Sequence, residues 1–317
     1  MIWISFLCLA IGIFIGVRNF TLSIYKKIDI INNIALVVLV ITIGIKVGIN
    51  DSVMLNLDSI GLNCFLISLC AIAFSILFTV IVEKTLLPLE ELREKILLKD
   101  IQKNSEIDIL QEKEKRKSPL VWVMPLSIVI GVIFGYFVIP YKLSFILDYL
   151  LMGSLVILYL SVGISFGSNS KVFKYIKIIG FRVIYLSVAI FSGSLVSGLT
   201  VGVLLDIPLY IPTMSASGMS YYSLTGAYMT QVYGIEAGTY GFIVNVMREF
   251  FTVLLLPVLL KISTGSPIAG GAAGNMDIMF VPVTRFVGIE LGLVTLITGL
   301  ILTVTVPVIL PVLYGLF

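Results

Sequence analysis

The composition of this chain excludes a soluble globular protein. Its 317 residues are 59% hydrophobic and only 12% charged, with a mean hydropathy of +1.12. That is more apolar surface than a soluble domain can bury. The net charge is +3 and no basic, aromatic-lined face follows the sequence, so nucleic acid is not an expected partner. The composition predicts a polytopic membrane protein whose surroundings are the lipid bilayer.

Several kinds of chemistry lack their usual residues. The chain has no histidine, and its three cysteines, Cys8, Cys64 and Cys70, lie in apolar runs that are typical of small core residues. We find no metal-ligand spacing, nucleophile motif or phosphate-binding loop, so we expect no metal, no cofactor and no enzymatic activity. Proton chemistry would have to use carboxylates, tyrosine or lysine.

Runs of about 20 apolar residues predict the membrane spans. Taken in chain order, eight candidate spans cover residues 1–17, 30–49, 60–82, 119–139, 144–166, 179–205, 237–261 and 287–316. No basic residue precedes the first span, which argues against a cleaved signal peptide. Basic residues cluster after the odd-numbered spans, whereas the opposite side has only Lys142. By the positive-inside rule, we expect a multi-pass protein of the cell membrane with both termini outside.

The segments between the spans suggest four units. Residues 83–118 carry nine basic and nine acidic side chains, a pattern that favours a solvated cytoplasmic linker helix. At an offset of 119 residues Gly12 aligns with Gly131, Gly44 with Gly163, and Ser75 with Ser194. We therefore expect an inverted repeat of three spans each, 1–82 and 119–205, which is typical of transporters, followed by a transport core at 206–317. The spaced glycines themselves favour close helix packing.

Two stretches of the core fit neither a clean span nor a polar loop. PTMSASGMSYYSLTGAYMTQVYG begins at Pro212, and GSPIAGGAAGNMDIMFVP covers 265–282. Irregular backbone at membrane depth is tolerated where it is buried in protein or lines a wet cavity. We expect two re-entrant hairpins that enter from opposite sides, in an all-α fold of about eight spans.

Acidic side chains at membrane depth mark the candidate site. Glu249 lies near the centre of span seven, with Asn245 one turn away on the same face, and Asp277 ends the stretch GGAAGNMD. We expect Glu249 and Asp277 to bind substrate or protons. The expected supporting residues are Ser215, Ser217, Gly218, Tyr221, Tyr222, Ser223, Asn245, Arg248 and Asn275. A structural pairing of Arg248 with Asp277 stays open, as does an interfacial anchoring role for the two tyrosines.

Three blocks of the sequence resemble a known family. ASGMSYYSLTG (216–226), NVMREFFTVLLLP (245–257) and GGAAGNMDIMFVPVTRFVG (270–288) are similar to the signature blocks of bacterial LysO-type L-lysine exporters. The resemblance extends over all eight spans, although the linker 83–118 is longer than it implies. It implies export of L-lysine and toxic lysine analogues from the cytoplasm, with Glu249 and Asp277 as the acids needed for transport.

The expected mechanism is exchange of lysine for protons, because a one-for-one exchange of two cations moves no net charge. The alternatives are a cation/proton antiporter or other small-molecule carrier of similar fold, a membrane-embedded enzyme that uses the acid pair, and a channel. The sequence leaves the assembly state open, a homodimer included.

Overall fold

The computed structural model describes residues 2–17, 22–98, 120–139, 144–168 and 180–317, and no strand occurs among them. The helices of the first part of the chain are α1 (Ile2–Val17), α2 (Leu22–Ile49), α3 (Asp51–Leu55), α4 (Leu57–Thr85), α5 (Leu89–Leu98), α6 (Leu120–Phe137), α7 (Ser144–Ser168) and α8 (Val183–Leu205). Those of the last part are α9 (Tyr210–Ala216), α10 (Tyr222–Tyr233), α11 (Ile235–Ile262), α12 (Ser266–Gly271), α13 (Phe280–Val287) and α14 (Gly292–Leu316). Short 3-10 turns at Ala272–Met276 and Ile289–Leu291 complete this part.

Six helices of the described chain are long and apolar enough to cross a membrane. They correspond to predicted spans two, three, five, six, seven and eight, and lie on α2, α4, α7, α8, α11 and α14. The first and fourth predicted spans coincide with shorter apolar stretches, Phe6–Val17 and Leu126–Phe137. At a rise of about 1.5 Å per residue, the longest of these helices exceed the ~30 Å hydrocarbon core. The described residues are therefore those of an all-helical, polytopic membrane protein.

Some expectations fall outside the described residues. The linker is described only as far as Leu98, so its predicted continuation over 99–118 is not among them. The same is true of the basic loop after span five and of Lys142, on which the predicted orientation rests.

The spaced glycines bring two pairs of helices into backbone contact. A Cβ added to Gly12 on α1 would lie 2.4 Å from the carbonyl oxygen of Leu160 and 2.9 Å from the Cα of Gly163 on α7. Gly44 on α2 meets Gly131 on α6 in the same way, at 3.0 Å. Only a residue without a side chain permits this approach, so the packing interpretation of these glycines is confirmed. Gly131 lies 119 residues after Gly12, and Gly163 lies 119 residues after Gly44. The contact between Gly12 and Gly163 is therefore equivalent, in the repeat register, to the contact between Gly131 and Gly44.

Helices α4 and α8 pack against each other through buried serines. The Oγ atoms of Ser75 and Ser194 lie 3.0 Å apart, and Ser75 Oγ also donates to the carbonyl oxygen of Ile190 at 3.2 Å. Helix α9 packs on α8, and α12 packs on α4. Helices α11 and α14 pack on α4 and α8 respectively. This arrangement places two short, interrupted helical segments between the long helices.

Candidate functional site

Two broken helical segments form the candidate site. The first broken segment, residues 210–233, consists of α9 and α10 separated by a turn in which Met219 and Ser220 have φ of 49° and 74°. The second broken segment, residues 266–287, consists of α12 and α13 separated by a 3-10 turn that begins at Ala272, with φ of 46°. Left-handed backbone at residues other than glycine is strained, and such strain concentrates at functional sites.

The interrupted regions of the two segments touch each other. The backbone N–H of Ala273 donates to the carbonyl oxygen of Met219 at 2.9 Å. A Cβ on Gly274 would lie 3.7 Å from the Cβ of Ser220. The unwound backbone of both segments therefore meets at one place. Helix ends at such a place present unpaired N–H and C=O groups to a ligand.

Asn245 of α11 holds the turn of the first broken segment. Its Nδ2 donates to the carbonyl oxygens of Ser215 and Gly241, both at 2.8 Å, and its Oδ1 accepts the backbone N–H of Ser220 at 2.7 Å. A Cβ on Gly218 would come within 2.5 Å of Asn245 Nδ2, so the close fit requires glycine there. Both amide hydrogens of Asn245 are used in these bonds. Asn245 therefore stabilises the turn, in addition to its predicted role in the site.

Arg248 is fully buried and holds the second broken segment. Its Nη1 donates to Ser194 Oγ at 2.8 Å and its Nη2 to Ser75 Oγ at 3.0 Å. Nη2 and Nε also donate to the carbonyl oxygens of Ala269 and Gly270, at 3.1 and 3.4 Å. These carbonyls belong to the last turn of α12, where a cation is favoured by the helix dipole. Among the described residues, Arg248 thus donates its hydrogen bonds to neutral oxygens rather than to Asp277.

The two predicted acids lie near each other. Glu249 is half-buried, and its Oε1 is buried without a hydrogen-bond donor among the described residues. Asp277 is exposed, and its Oδ1 accepts the N–H of Ile278 at 2.6 Å. The turn at Ser220 connects their surroundings, because its N–H bonds to Asn245, one turn before Glu249, and its Cβ lies 3.7 Å from a Cβ on Gly274, three residues before Asp277. A carboxylate oxygen in this position is available to an ammonium group or a proton.

The aromatic pair Tyr221 and Tyr222 lies beside these acids. Tyr222 is within electrostatic range of both Glu249 and Asp277, and Tyr221 is within range of Asp277. The ring of Tyr222 packs edge-on against Phe242, with centroids 5.3 Å apart. Tyr222 is the first residue of α10, so the amino-terminal end of that helix follows directly after the turn whose Ser220 bonds to Asn245.

The remaining predicted residues form the buried surroundings of the two turns. Ser217 Oγ and Asn275 Oδ1 find no hydrogen-bond partner among the described residues, although Asn275 Nδ2 donates to the carbonyl oxygen of Ile268 at 2.7 Å. Ser215 Oγ contacts Met229 Sδ at 3.7 Å, and Ser223 is buried. Gly218 lies in the first turn. Ser75 and Ser194 accept hydrogen bonds from Arg248, but the sequence indicated only that they are equivalent positions of the two repeats.

No group of three or more cysteine, aspartate or glutamate side chains that could hold a metal ion occurs within the described ranges. The described helices, two of them broken and in contact beside an acidic pair, are those of a membrane-embedded carrier rather than of a soluble enzyme.

Comparison with known proteins gives the family. The family model described as lysine exporter LysO matches residues 6–94 and 126–314. The chain therefore belongs to the lysine exporter LysO family, whose members are transporters and not enzymes. A curated relative, lysine exporter LysO of Escherichia coli (strain K12), is 28% identical over 157 residues, which is 50% of this chain and 52% of the relative. The alignment thus spans about half the length of that relative. No solved structure matches the chain.

Proposed function

We propose that the protein exports L-lysine and toxic lysine analogues from the cytoplasm in exchange for protons. Family membership supports the substrate class, since both the matched family and the curated relative carry the name of a lysine exporter. The observation that carries the site is the Glu249 carboxylate, which keeps a buried oxygen without a donor among the described residues.

Lysine has two ammonium groups and one carboxylate, so its binding site needs both signs of charge. In our proposal Glu249 and Asp277 bind the ammonium groups. The amino-terminal end of α10, which begins at Tyr222, takes the carboxylate through its unpaired N–H groups and its positive dipole end. Tyr221 and Tyr222 complete this end of the site. The nearness of Tyr222 to both acids supports the arrangement.

The other supporting residues have two roles in this proposal. Ser215, Ser217, Gly218, Ser223 and Asn275 surround the unwound backbone and shape the substrate site. Asn245 and Arg248 hold the two broken segments at the distance that the substrate requires. Their hydrogen bonds to Ser220 and to Ala269 support these roles.

The proposed membrane arrangement keeps eight spans in the cell membrane with both termini outside. Repeats 1–82 and 119–205 are joined by the cytoplasmic linker 83–118, and the core 206–317 contains two re-entrant hairpins of opposite orientation. The contacts of Gly12 with Gly163 and of Gly44 with Gly131 support the repeat, because an exchange of the two copies converts one contact into the other. The contact between Ser75 and Ser194, at equivalent positions, supports it independently.

Coupling to protons follows from the charge that lysine carries. Moving one positive charge outward against an inside-negative potential of 100 mV costs about 2.3 kcal/mol. If a proton enters for each lysine that leaves, the cycle moves no net charge. A carboxylate at membrane depth can carry that proton once the ammonium group has left, and Glu249 and Asp277 are the groups so placed.

Transport by purified protein in liposomes tests the proposal. We expect an imposed pH gradient to drive lysine uptake or efflux and an opposite proton movement to accompany it. Lysine flux that ignores the pH gradient, with no proton counterflow, would contradict proton exchange. Sodium-dependent proton flux in a protein that does not bind lysine would favour the cation/proton antiporter instead. A channel would never move lysine against its electrochemical gradient.

A further inference from the structure

The first part of the charged linker is folded against the transport core. Leu87 and Leu89 are 4% and 1% exposed, although the sequence pattern favours a solvated helix for this segment. A Cβ on Gly265, which precedes α12, would lie 3.2 Å from the Cδ1 of Leu89. Helix α5 therefore starts as a buried part of the protein, at the point where the second broken segment begins.

Two acidic residues hold the entry to the second broken segment. Glu83, near the end of α4, accepts the backbone N–H of Gly265 through Oε2 at 3.1 Å. Glu90 of α5 accepts the hydroxyl of Thr264 through Oε1. A carboxylate in this position satisfies a donor at the amino-terminal end of α12 and complements its dipole.

The exit from the same segment is held by Arg93 of α5. Its Nε lies 3.5 Å from Glu290 Oε2, and its Nη1 lies 3.9 Å from Glu90 Oε2. Gly288 has φ of 94°, and a Cβ there would come within 2.9 Å of Arg93 Nη2. Glycine at this position thus both allows the turn after α13 and leaves room for the guanidinium.

We propose that Glu90 and Arg93 are positioning residues that form a cytoplasmic latch over both ends of the second broken segment. The inference rests on the proposed export function. One short helix contacts the entry and the exit of the segment, so a movement of the segment relative to α5 must break at least one of these contacts. The family match reaches residue 94, which includes the latch and leaves out the rest of the linker.

The charges of the latch suit repeated opening. The side chains of Arg93 and Glu290 are 38% and 19% exposed, and Arg93 is shared between two carboxylates. An ion pair with this much exposure changes an equilibrium by about two- to fivefold. Such a contact biases the closed position without locking it. Loss of the pair increases the fraction of protein open to the cytoplasm, and the apparent affinity for cytoplasmic lysine increases by the same factor.

Removal of the two charges, singly and together, tests this bias. In inverted membrane vesicles, Arg93→Gln and Glu290→Gln should each lower the KM for cytoplasmic lysine about two- to fivefold. The double variant Arg93→Gln with Glu290→Gln should lower KM no further than Arg93→Gln alone, because the pair is already lost in that single variant. Lys84→Gln removes an exposed charge from the same region and should leave KM unchanged. An unaltered or raised KM in the single variants, or a further fall in KM in the double variant, would overturn the latch.

A reversible cross-link tests the movement itself. With Cys8, Cys64 and Cys70 replaced by alanine, Glu90→Cys and Thr264→Cys place two thiols where the carboxylate and the hydroxyl now meet. Lysine transport should stop on oxidation and return on reduction. Full transport by the cross-linked protein would overturn the latch. Lysine flux in vesicles with the wild-type protein tests the export function and does not depend on the latch. If the wild type moves no lysine, the proposed function is refuted and not the latch.

Discussion

Replacing Arg248 by lysine gives a quantitative test of the fold around the site. The guanidinium makes two hydrogen bonds to Ser75 and Ser194 and two to the carbonyls of Ala269 and Gly270. One ammonium nitrogen cannot reach both sets, because the fork of arginine spans acceptors on three helices. A hydrogen bond to a charged donor contributes about 1.5–3 kcal/mol, so loss of two predicts a destabilisation of about 3–6 kcal/mol.

The assay is denaturant unfolding of the purified protein in detergent micelles, with Arg182→Lys as the matched control. Arg182 is exposed at the start of α8, so the same substitution there should change the free energy of unfolding by no more than about 0.5 kcal/mol. A single Ser194→Ala substitution should account for about one of the lost bonds. If Arg248→Lys unfolds within about 1 kcal/mol of the control, Arg248 does not hold the second broken segment in the way described.

Two further substitutions test helix packing and the first broken segment. Gly163→Ala places a methyl group 2.5 Å from the carbonyl oxygen of Leu9, so we expect it to lower the free energy of unfolding by about 1–3 kcal/mol. The control is Gly153→Ala on the same helix, where the added methyl group meets no atom within 4 Å. In the same unfolding assay this control should be neutral or stabilising. Equal effects of the two would refute the close helix contact. Asn245→Ala removes three hydrogen bonds, at about 1 kcal/mol each, and leaves the N–H of Ser220 without its acceptor. We expect a loss of about 3 kcal/mol and faster hydrogen exchange at Ser220, and unchanged exchange there would contradict the role of Asn245.

The long helices could be predicted from the sequence because hydropathy and length reflect the bilayer directly. Span three, predicted at 60–82, lies within α4, and span seven, predicted at 237–261, lies within α11. The first and fourth predicted spans coincide only with shorter apolar stretches, which lie on α1 and α6. The short helices on either side of the two turns depend on backbone angles at Met219, Ser220 and Ala272, which no side-chain pattern predicts.

The roles of the buried polar residues depended on contacts between distant parts of the chain. The sequence indicated that Asn245 shares a helix face with Glu249, but not that its amide is occupied by the turn at Ser220. The offset of 119 residues aligned Ser75 with Ser194, yet their common partner Arg248 comes from a third helix outside the repeat. A repeat register predicts which positions are equivalent, and it does not predict which side chain binds both.

The linker shows the same limit. Its alternating charges are typical of a solvated helix, and Glu90 is indeed exposed. The contacts of Glu90 with Thr264 and of Arg93 with Glu290 join residues more than 170 positions apart. Local charge patterning carries no information on partners at that distance.

The most direct test of the central claim is efflux of radiolabelled lysine from cells that produce the wild type, Glu249→Gln or Asp277→Asn. Each substitution keeps the shape of the side chain and removes the negative charge that is proposed to bind the ammonium groups. We predict that both variants reach the membrane in normal amounts and lose efflux by at least about tenfold, the effect of about 1.4 kcal/mol of lost interaction. Wild-type efflux from both variants would contradict the account.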